Sequence, residues 1–551
     1  MHMPRSLSAE TDQETGLAVS GGVDSMALAW LCSEMRKDSR GYEFTAFVVD
    51  HKLRKGSTEE AHQVRHVLDG LGTLHRSASK RTRSDFITAG LRSRILTLDW
   101  QGDHPVDDME AAARRLRYRA LGQACHEDRL GSLWFAHHAD DQAETVLMRI
   151  ANIYLGAGLA GMHTVSQIPE CEGMYGVRQS GKPRRLSLDN SLGSRLWTEN
   201  GGVSIIRPLL SYTKEELIAT CKKARVRWFE DETNTDLSIT LRNTVRSLHS
   251  ANRLPVALQH PRLHVVAERV RQRADLHEAE AIRIFRKLKP LLDMRVGTLQ
   301  CTLPKDTFNT HSTDVDIQYI QAKAISKLVE LVSPVDAILL NDIANITHIL
   351  GAEHPATSKP LKVSVASTLI SREANYEGGL VLTMQRAPPY RTQAENCRME
   401  VDIPNKGYHG PNTTVWSTWH LWDNRFWVRL GRGRAIEKSP QVCVRFLSTP
   451  DIVSTRVSLG TKARKDFNKT LERAKGDARF TLPAIFCVDL SDDGQSFVED
   501  AACERLVALP TLSWSRDGWQ RFGPKAVESK WLYETRYKHV DESLTEPISK
   551  V

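Results

Sequence analysis

Gly16-Leu17-Ala18-Val19 is a short apolar run, Ser20-Gly21-Gly22-Val23-Asp24-Ser25 a turn with paired glycines, and Met26-Ala27-Leu28-Ala29-Trp30-Leu31 the apolar opening of a helix. No other stretch of the 551 residues restricts the fold as much. A buried strand passing through a glycine turn into a helix is the opening unit of an α/β sheet. It is also an anion site. Glycine lets the backbone approach a ligand, and the turn's N–H groups join the unpaired N–H groups of the helix start. Ser20 and Ser25 add hydroxyl donors. The turn has no Lys followed by Ser or Thr, so it is not a Walker A loop, and it lacks the third glycine of a dinucleotide fingerprint. An ordinary tight turn is the structural alternative.

Two further charged clusters follow apolar runs. Phe44-Thr45-Ala46-Phe47-Val48-Val49 reads as a second parallel strand and ends at Asp50-His51-Lys52-Leu53-Arg54. Ser132-Leu133-Trp134-Phe135-Ala136 reads as another and runs into His137-His138-Ala139-Asp140-Asp141-Gln142-Ala143-Glu144-Thr145, which opens a helix. Ligands of open α/β sheets gather at the carboxyl ends of strands, which puts both clusters beside the glycine turn. Closely set carboxylates repel one another and favour a cation, Mg²⁺ or a substrate ammonium. Asp140 or Asp141 is also a candidate helix cap. Between the clusters, Thr58–Leu71 and Asp108–Leu121 read as helices. The second carries Glu110, Arg114 and Arg117 along one side, either a solvated salt-bridged face or an anion-binding one.

The order SGGVDS, VVDHKLR, EAAARRLRYRAL and FAHHADDQAET continues with Leu155–Met162 and Ile206-Arg207-Pro208-Leu209-Leu210. It ends with Trp228-Phe229-Glu230-Asp231-Glu232-Thr233-Asn234-Thr235-Asp236 and Arg242-Asn243-Thr244-Val245-Arg246. Over about residues 16–250 the series resembles the catalytic domain of tRNA(Ile)-lysidine synthetase, within the PP-loop ATP pyrophosphatases. The resemblance implies a parallel-sheet PP-loop domain of the adenine nucleotide alpha hydrolase-like, HUP type. It also implies a two-step reaction. ATP adenylates the C2 carbonyl oxygen of the first anticodon cytidine of tRNA(Ile) with a CAU anticodon. Free L-lysine then attacks C2, and AMP leaves. ATP and Mg²⁺ are the implied cofactors.

Residue by residue, Ser20, Gly21, Gly22, Val23, Asp24 and Ser25 match the family's ATP loop, and Asp50, His51 and Arg54 its second strand-end motif. His138, Asp141 and Glu144 match the acidic motif that positions lysine, cytidine or metal. Asp24, Asp50, His138, Asp141 and Glu144 are the catalytic candidates, and Asp141 is the metal candidate. Which acid serves which partner stays open. Arg54, Arg114, Arg117, Arg242 and Arg246 are candidates for tRNA. Arg207, Glu230, Asp231 and Asn234 match a partly structural motif, and an ion pair with Glu230 or Asp231 is the alternative for Arg242 and Arg246.

The chain departs from the family in three places. About 40 residues separate Met162 from Arg207, a glycine- and proline-bearing stretch expected to be a flexible insertion. His75–Thr88 is a second insertion, with Arg76, Lys80, Arg81 and Arg83. The first strand looks short because Glu14 and Thr15 stand where apolar residues are expected, which a truncated N-terminus would explain.

At roughly 100–200 residues per domain, the length implies three or four domains. The expected division is a PP-loop catalytic domain at 14–255, a helical connector and α+β middle domain at 256–395, and a β-rich, basic α+β C-terminal domain at 396–545. In the middle domain, Ala267–Lys287, Asp316–Leu331 and Val335–Leu350 read as helices and Leu361–Met384 as strands. Further on, Asn424–Phe480 holds 14 Lys/Arg against 5 Asp/Glu, a net of +9, while the whole chain is +8. The excess is therefore local. Within it Lys462, Arg464 and Lys465 are tRNA-binding candidates, with a solvated helix as the alternative. Trp416–Trp422 and Arg425–Leu430 mix tryptophan with arginine, a composition that stacks bases or simply fills a core.

No apolar run approaches the roughly 18 residues of a membrane span, so no membrane partner is expected. The nine cysteines show no CxxC and no zinc spacing, which points to free thiols in a reduced compartment. An insertion-rich chain of this family implies the mitochondrial matrix, although the first residues make a poor transit peptide; the cytoplasm is the alternative. Two other functions compete: another PP-loop adenylating enzyme acting on tRNA, and a non-catalytic RNA-binding scaffold.

Overall fold

The computed structural model describes residues 13–38, 42–54, 56–71, 91–100, 109–154, 156–185, 196–230, 253–304, 315–351, 361–374, 380–404, 414–432, 441–488, 504–516, 518–522 and 531–544. The chain forms two compact units, residues 1–181 with 201–275, and residues 182–200 with 276–551.

The first unit is built on strands β1 (Gln13–Val19), β2 (Tyr42–Asp50), β3 (Arg92–Thr97), β4 (Ser132–Trp134), β5 (Val165–Gln167) and β6 (Ser204–Ile206). Its helices are α1 (Val23–Asp38), α2 (Ser57–Gly70), α3 (Met109–Glu127), α4 (Ala139–Ala151) and α5 (Lys214–Ala224). The strand order is β3-β2-β1-β4-β6-β5, parallel except for β5 against β6. Strand alternation sorts the side chains onto two faces. Phe44, Ala46, Val48, Trp134 and Ile206 join α1, α2 and α5 in one core, whereas Phe47, Leu133 and Ile205 join α3 in another. Both faces are covered, as a parallel sheet requires.

Three expectations change here. The first strand is not short: it runs through Glu14 and Thr15, and buried Thr15 is satisfied by Ser132 on β4, with their hydroxyl oxygens 3.2 Å apart. A polar residue serves in this core because its one hydroxyl has a partner. The stretch after Met162 is not a loose insertion where it is described. Ile168, Cys171 and Val177 are fully buried, and β5 and β6 lie within the stretch. The C-terminal tryptophans divide, with Trp422 and Trp427 buried and Trp416 and Trp419 half-buried.

Among the described residues the second unit holds three five-stranded sheets. The first orders β7 (Leu291–Asp293), β8 (Thr298–Leu303), β11 (Leu380–Arg386), β10 (Thr368–Ala374) and β9 (Leu361–Val365). The second orders β12 (Met399–Val401), β16 (Gln441–Phe446), β17 (Pro483–Val488), β18 (Glu504–Leu509) and β19 (Trp514–Ser515). The third orders β13 (Val415–Trp416), β15 (Phe426–Arg432), β21 (Trp531–Tyr537) and β20 (Trp519–Arg521), with β14 (His420–Trp422) also paired to β15. The middle helices span Val315–Glu330 and Leu340–Gly351, the second starting later than expected, after Pro334. Helix His260–Lys287 gives Leu263 and Ala267 to a small core with α4. Among the described residues the cysteines are free thiols, and no helix is long and apolar enough to cross a membrane.

Candidate active site

From β1 the first unit's strands proceed outward to β2 and β3 on one side and then resume with β4 on the other. This reversal opens a crevice beyond the carboxyl ends of β1 and β4, the usual ligand position in such sheets. Ser20-Gly21-Gly22 leaves β1 there, and His137-His138 leaves β4.

The glycine turn is held from inside. Ser25 Oγ accepts from the Ser20 and Gly21 amides at 3.3 and 3.2 Å and donates to Gly22 O at 2.9 Å. Gly21 has φ +91°, and a Cβ there would lie 2.5 Å from Val64 Cγ2. Left-handed backbone and lack of space both demand glycine. The Gly21 carbonyl accepts from the Phe229 amide at 3.0 Å, which ties the turn to the Trp228-Phe229 motif.

Across the crevice, His138 is the N-cap of α4. Its Nδ1 lies 3.2 Å from the Asp140 amide, a bond it accepts as the neutral imidazole and gives up as the imidazolium, and its own amide donates to Asp141 Oδ2 at 3.1 Å. The histidine, not Asp140 or Asp141, is therefore the cap; the two acids occupy the first turn, where the helix dipole favours negative charge. His138 Nε2 lies 3.5 Å from both Asp24 Oδ2 and Asp141 Oδ2. Burial works against an imidazolium here, but Asp140, Asp24 and Asp141 outweigh it and raise His138 to about 9. Asp140 moves well below the ordinary carboxylate range, chiefly through His138 and also through the Lys214 amide, which donates to Oδ2 at 2.8 Å. Asp24 Oδ1 is buried and accepts no hydrogen bond. A buried lone acceptor next to a second carboxylate fits a divalent cation or an ammonium group.

Glu144 is buried one turn along α4 from Asp141. Asp50 is differently engaged. Burial raises its pKa, but Thr58 and Ser57, whose hydroxyls donate at 2.7 Å each, and the Lys52 amide more than compensate and lower it. Asp50 thus fastens the start of α2. Arg54 pairs with Glu60 at 2.6 Å. Arg114 and Arg117 are exposed on α3, packed over Tyr118, and Arg114 lies 3.6 Å from Glu170. Arg207 is buried, donating to His137 Nδ1 at 3.2 Å and to His163 O and Ser166 Oγ at 2.9 Å, so it locks β6 to its neighbours. Lys462, Arg464 and Lys465 are exposed on helix Thr461–Leu471 of the second unit. Arg242, Arg246, Asp231, Asn234 and the stretch His75–Thr88 lie outside the described residues.

Sequence reasoning passed over Gln142 and Arg149. Gln142 brackets Met162 with two bonds of 2.7 and 2.6 Å, and Arg149 donates to Gly158 O and Gly161 O at 2.6 and 3.0 Å. Together they hold the Gly156–Met162 loop against α4. Their spacing from the adjacent acids on one helix was the available signal.

Residues 2–251 match the family described as PP-loop domain. The chain is 26% identical over 513 residues to the probable tRNA(Ile)-lysidine synthase of Schizosaccharomyces pombe, an alignment covering 91% of both chains. It is 34% and 35% identical to the tRNA(Ile)-lysidine synthases of Bradyrhizobium diazoefficiens and Rhodopseudomonas palustris, over 41% of this chain and 48% and 50% of theirs. Against those bacterial relatives the match therefore spans about half their length. The glycine turn at the β1/β4 crevice and the acids opposite it lie within the residues that match the PP-loop domain, and the chain is similar to tRNA(Ile)-lysidine synthases.

Proposed function

We propose that the protein is a tRNA(Ile)-lysidine synthase, an ATP-consuming ligase that joins free L-lysine to the first anticodon cytidine of tRNA(Ile) with a CAU anticodon. The observation that carries this reading is the likeness to the S. pombe protein over 91% of both chains, because it extends well beyond the PP-loop domain that many adenylating enzymes share.

In the first step the cytidine C2 oxygen bonds to the α-phosphorus of ATP, and the bond to pyrophosphate breaks. In the second a lysine amine bonds to C2, the C–O bond breaks, AMP leaves with the oxygen and the nitrogen loses a proton. The Ser20–Ser25 turn binds the pyrophosphate portion with its hydroxyls and the amides of the α1 start. Asp24 and Asp141 would hold Mg²⁺, which offsets phosphate charge when bound. Asp141 and Glu144 draw in the lysine ammonium, and His138 keeps Asp24 and Asp141 in place. Asp50, bonded to Ser57 and Thr58, positions the start of α2 beside the site. Arg54, Arg114 and Arg117 are the proposed contacts to anticodon-loop phosphates, Arg242 and Arg246 remain candidates from the sequence alone, and Lys462, Arg464 and Lys465 are the proposed tRNA contacts of the second unit. A mitochondrial-matrix address is proposed from the insertion-rich form of the sequence; import of the native protein into isolated mitochondria tests it.

The deciding experiment supplies ATP, Mg²⁺, radiolabelled lysine and either an isoleucine tRNA transcript with a CAU anticodon or a methionine tRNA. Lysine incorporated into the first alone, with AMP formed, is the expected result. AMP without lysine transfer replaces this reading with another PP-loop adenylation, and no AMP from folded protein replaces it with the scaffold.

A further inference from the structure

Residues Lys182–Asn200 belong to the second unit, although the chain through Gly181 and from Gly201 onward belongs to the first. Gly181, Gly201 and Gly202 have φ of +101°, +87° and +88°, so left-handed backbone stands at both crossings. The arm is fastened mainly through its backbone. The Lys182 and Asn200 amides each bond to the other's carbonyl at 2.8 and 3.0 Å, and Arg184 and Thr198 do the same at 2.9 and 3.0 Å. Tyr537, the last residue of β21, donates to Trp197 O at 2.7 Å and accepts from the Glu199 amide at 3.0 Å. Thr198 Oγ1 donates to Lys538 O at 2.6 Å. Leu196 is in the second unit's core, and the fully buried Glu199 carboxylate pairs with Arg536 at 2.7 Å. The arm thereby occupies the part of the β21 edge that β20 leaves open, since β20 pairs only with Trp531–Tyr533.

What this anchored backbone turns outward is basic and aromatic. Lys182 and Arg185 are exposed, Trp197 is 40% exposed, and the Arg185 guanidinium lies 5.1 Å from the Trp197 ring centre. Glu199 is the one acid among the arm's described residues, and Arg536 neutralises it. The neighbouring tryptophan–arginine stack differs, because its guanidiniums are matched by Glu534 and Glu199. Cations beside a flat ring on rigid backbone suit a phosphate next to an unpaired base.

We propose that the two described ends of this arm, Lys182–Arg185 and Leu196–Asn200, form an RNA-contacting surface, with Lys182 and Arg185 on tRNA phosphates and Trp197 stacked on an unpaired base. The choice of RNA rests on the lysidine-synthase reading. The test measures affinity of the full chain for the isoleucine tRNA transcript across a salt series, for wild type, Lys182→Ala/Arg185→Ala and Trp197→Ala. The charge variant loses about tenfold in affinity, and its log–log salt slope falls by about 1.4, the release expected for two phosphates of an unpaired strand. Trp197→Ala loses about tenfold with the slope unchanged, because stacking releases no counterions. In lysine transfer both variants raise KM for tRNA and leave kcat alone. Wild-type affinity, slope and KM in both variants overturn the arm's role. Wild-type protein that binds the transcript but transfers no lysine overturns the lysidine reading, while the binding series still decides the arm.

Discussion

Two polar clusters in this molecule are handled in opposite ways. In the second unit Trp416, Arg429, Trp419 and Arg536 stack alternately, each guanidinium 4.4–4.6 Å from a ring centre. Glu534 gives one carboxylate oxygen to Arg429 and the other to Arg536, and Glu199 takes the remaining side of Arg536. Each charge in the stack is matched. Around His138 in the first unit the balance is left uneven: Asp24, Asp140 and Asp141 surround one imidazole, and Asp24 keeps a buried oxygen without a partner. Saturated networks stabilise and specify a packing, whereas an acceptor left open inside a crevice has a cost that a bound ligand removes.

That contrast breaks first at Asp24. Asp24→Asn keeps the shape and removes the charge, and lysine-transfer kcat is expected to fall by about 10²–10³, the usual size for losing one electrostatic contact to a transition state. The thermal unfolding midpoint should change little, because relief of the Oδ1 that lacks a hydrogen bond offsets the lost ion pair with His138. Retained activity would place Asp24 with the saturated networks. The reverse pattern is expected for Glu534→Ala, which takes the carboxylate from Arg429 and leaves Arg536 with Glu199. Urea unfolding of the second unit should lose about 2 kcal/mol, a value reduced for partial exposure, while kcat at saturating tRNA stays near wild type. A smaller effect concerns His138. Its folded pKa, about 9, lies above its ordinary 6.5, so its ion pairs contribute full stability below pH 6.5 and lose it as pH rises through 9. The stability gap between wild type and His138→Gln, followed by urea unfolding from pH 6 to 10, should narrow across that window. A gap that is flat with pH would show that only the cap hydrogen bond matters.

Much of the first unit was legible in its residues. Alternating apolar runs and the glycine turn indicated the strands and the loop, because strand period and left-handed glycine leave local traces. The site was legible as a set of motifs but not as roles. Asp50 reads like a catalytic acid, yet Ser57 and Thr58, seven and eight residues on, fold back to occupy it. Asp140 and Asp141 read like caps, and the histidine before them holds that position. Thr15 looked like the end of a strand, and a hydroxyl 117 residues away let it stay inside.

The sequence by itself determined the α/β class of the first unit, the phosphate-loop geometry and the families of residues at the strand ends. These follow from periodicity and backbone sterics acting over a few residues. The tertiary structure alone decided which carboxylate is left unpartnered, which arginine is stacked and neutralised, and which unit the Lys182–Asn200 arm joins. Those outcomes depend on hydrogen-bond partners hundreds of residues apart, such as Thr198 and Lys538, and no local pattern records a pairing over that distance.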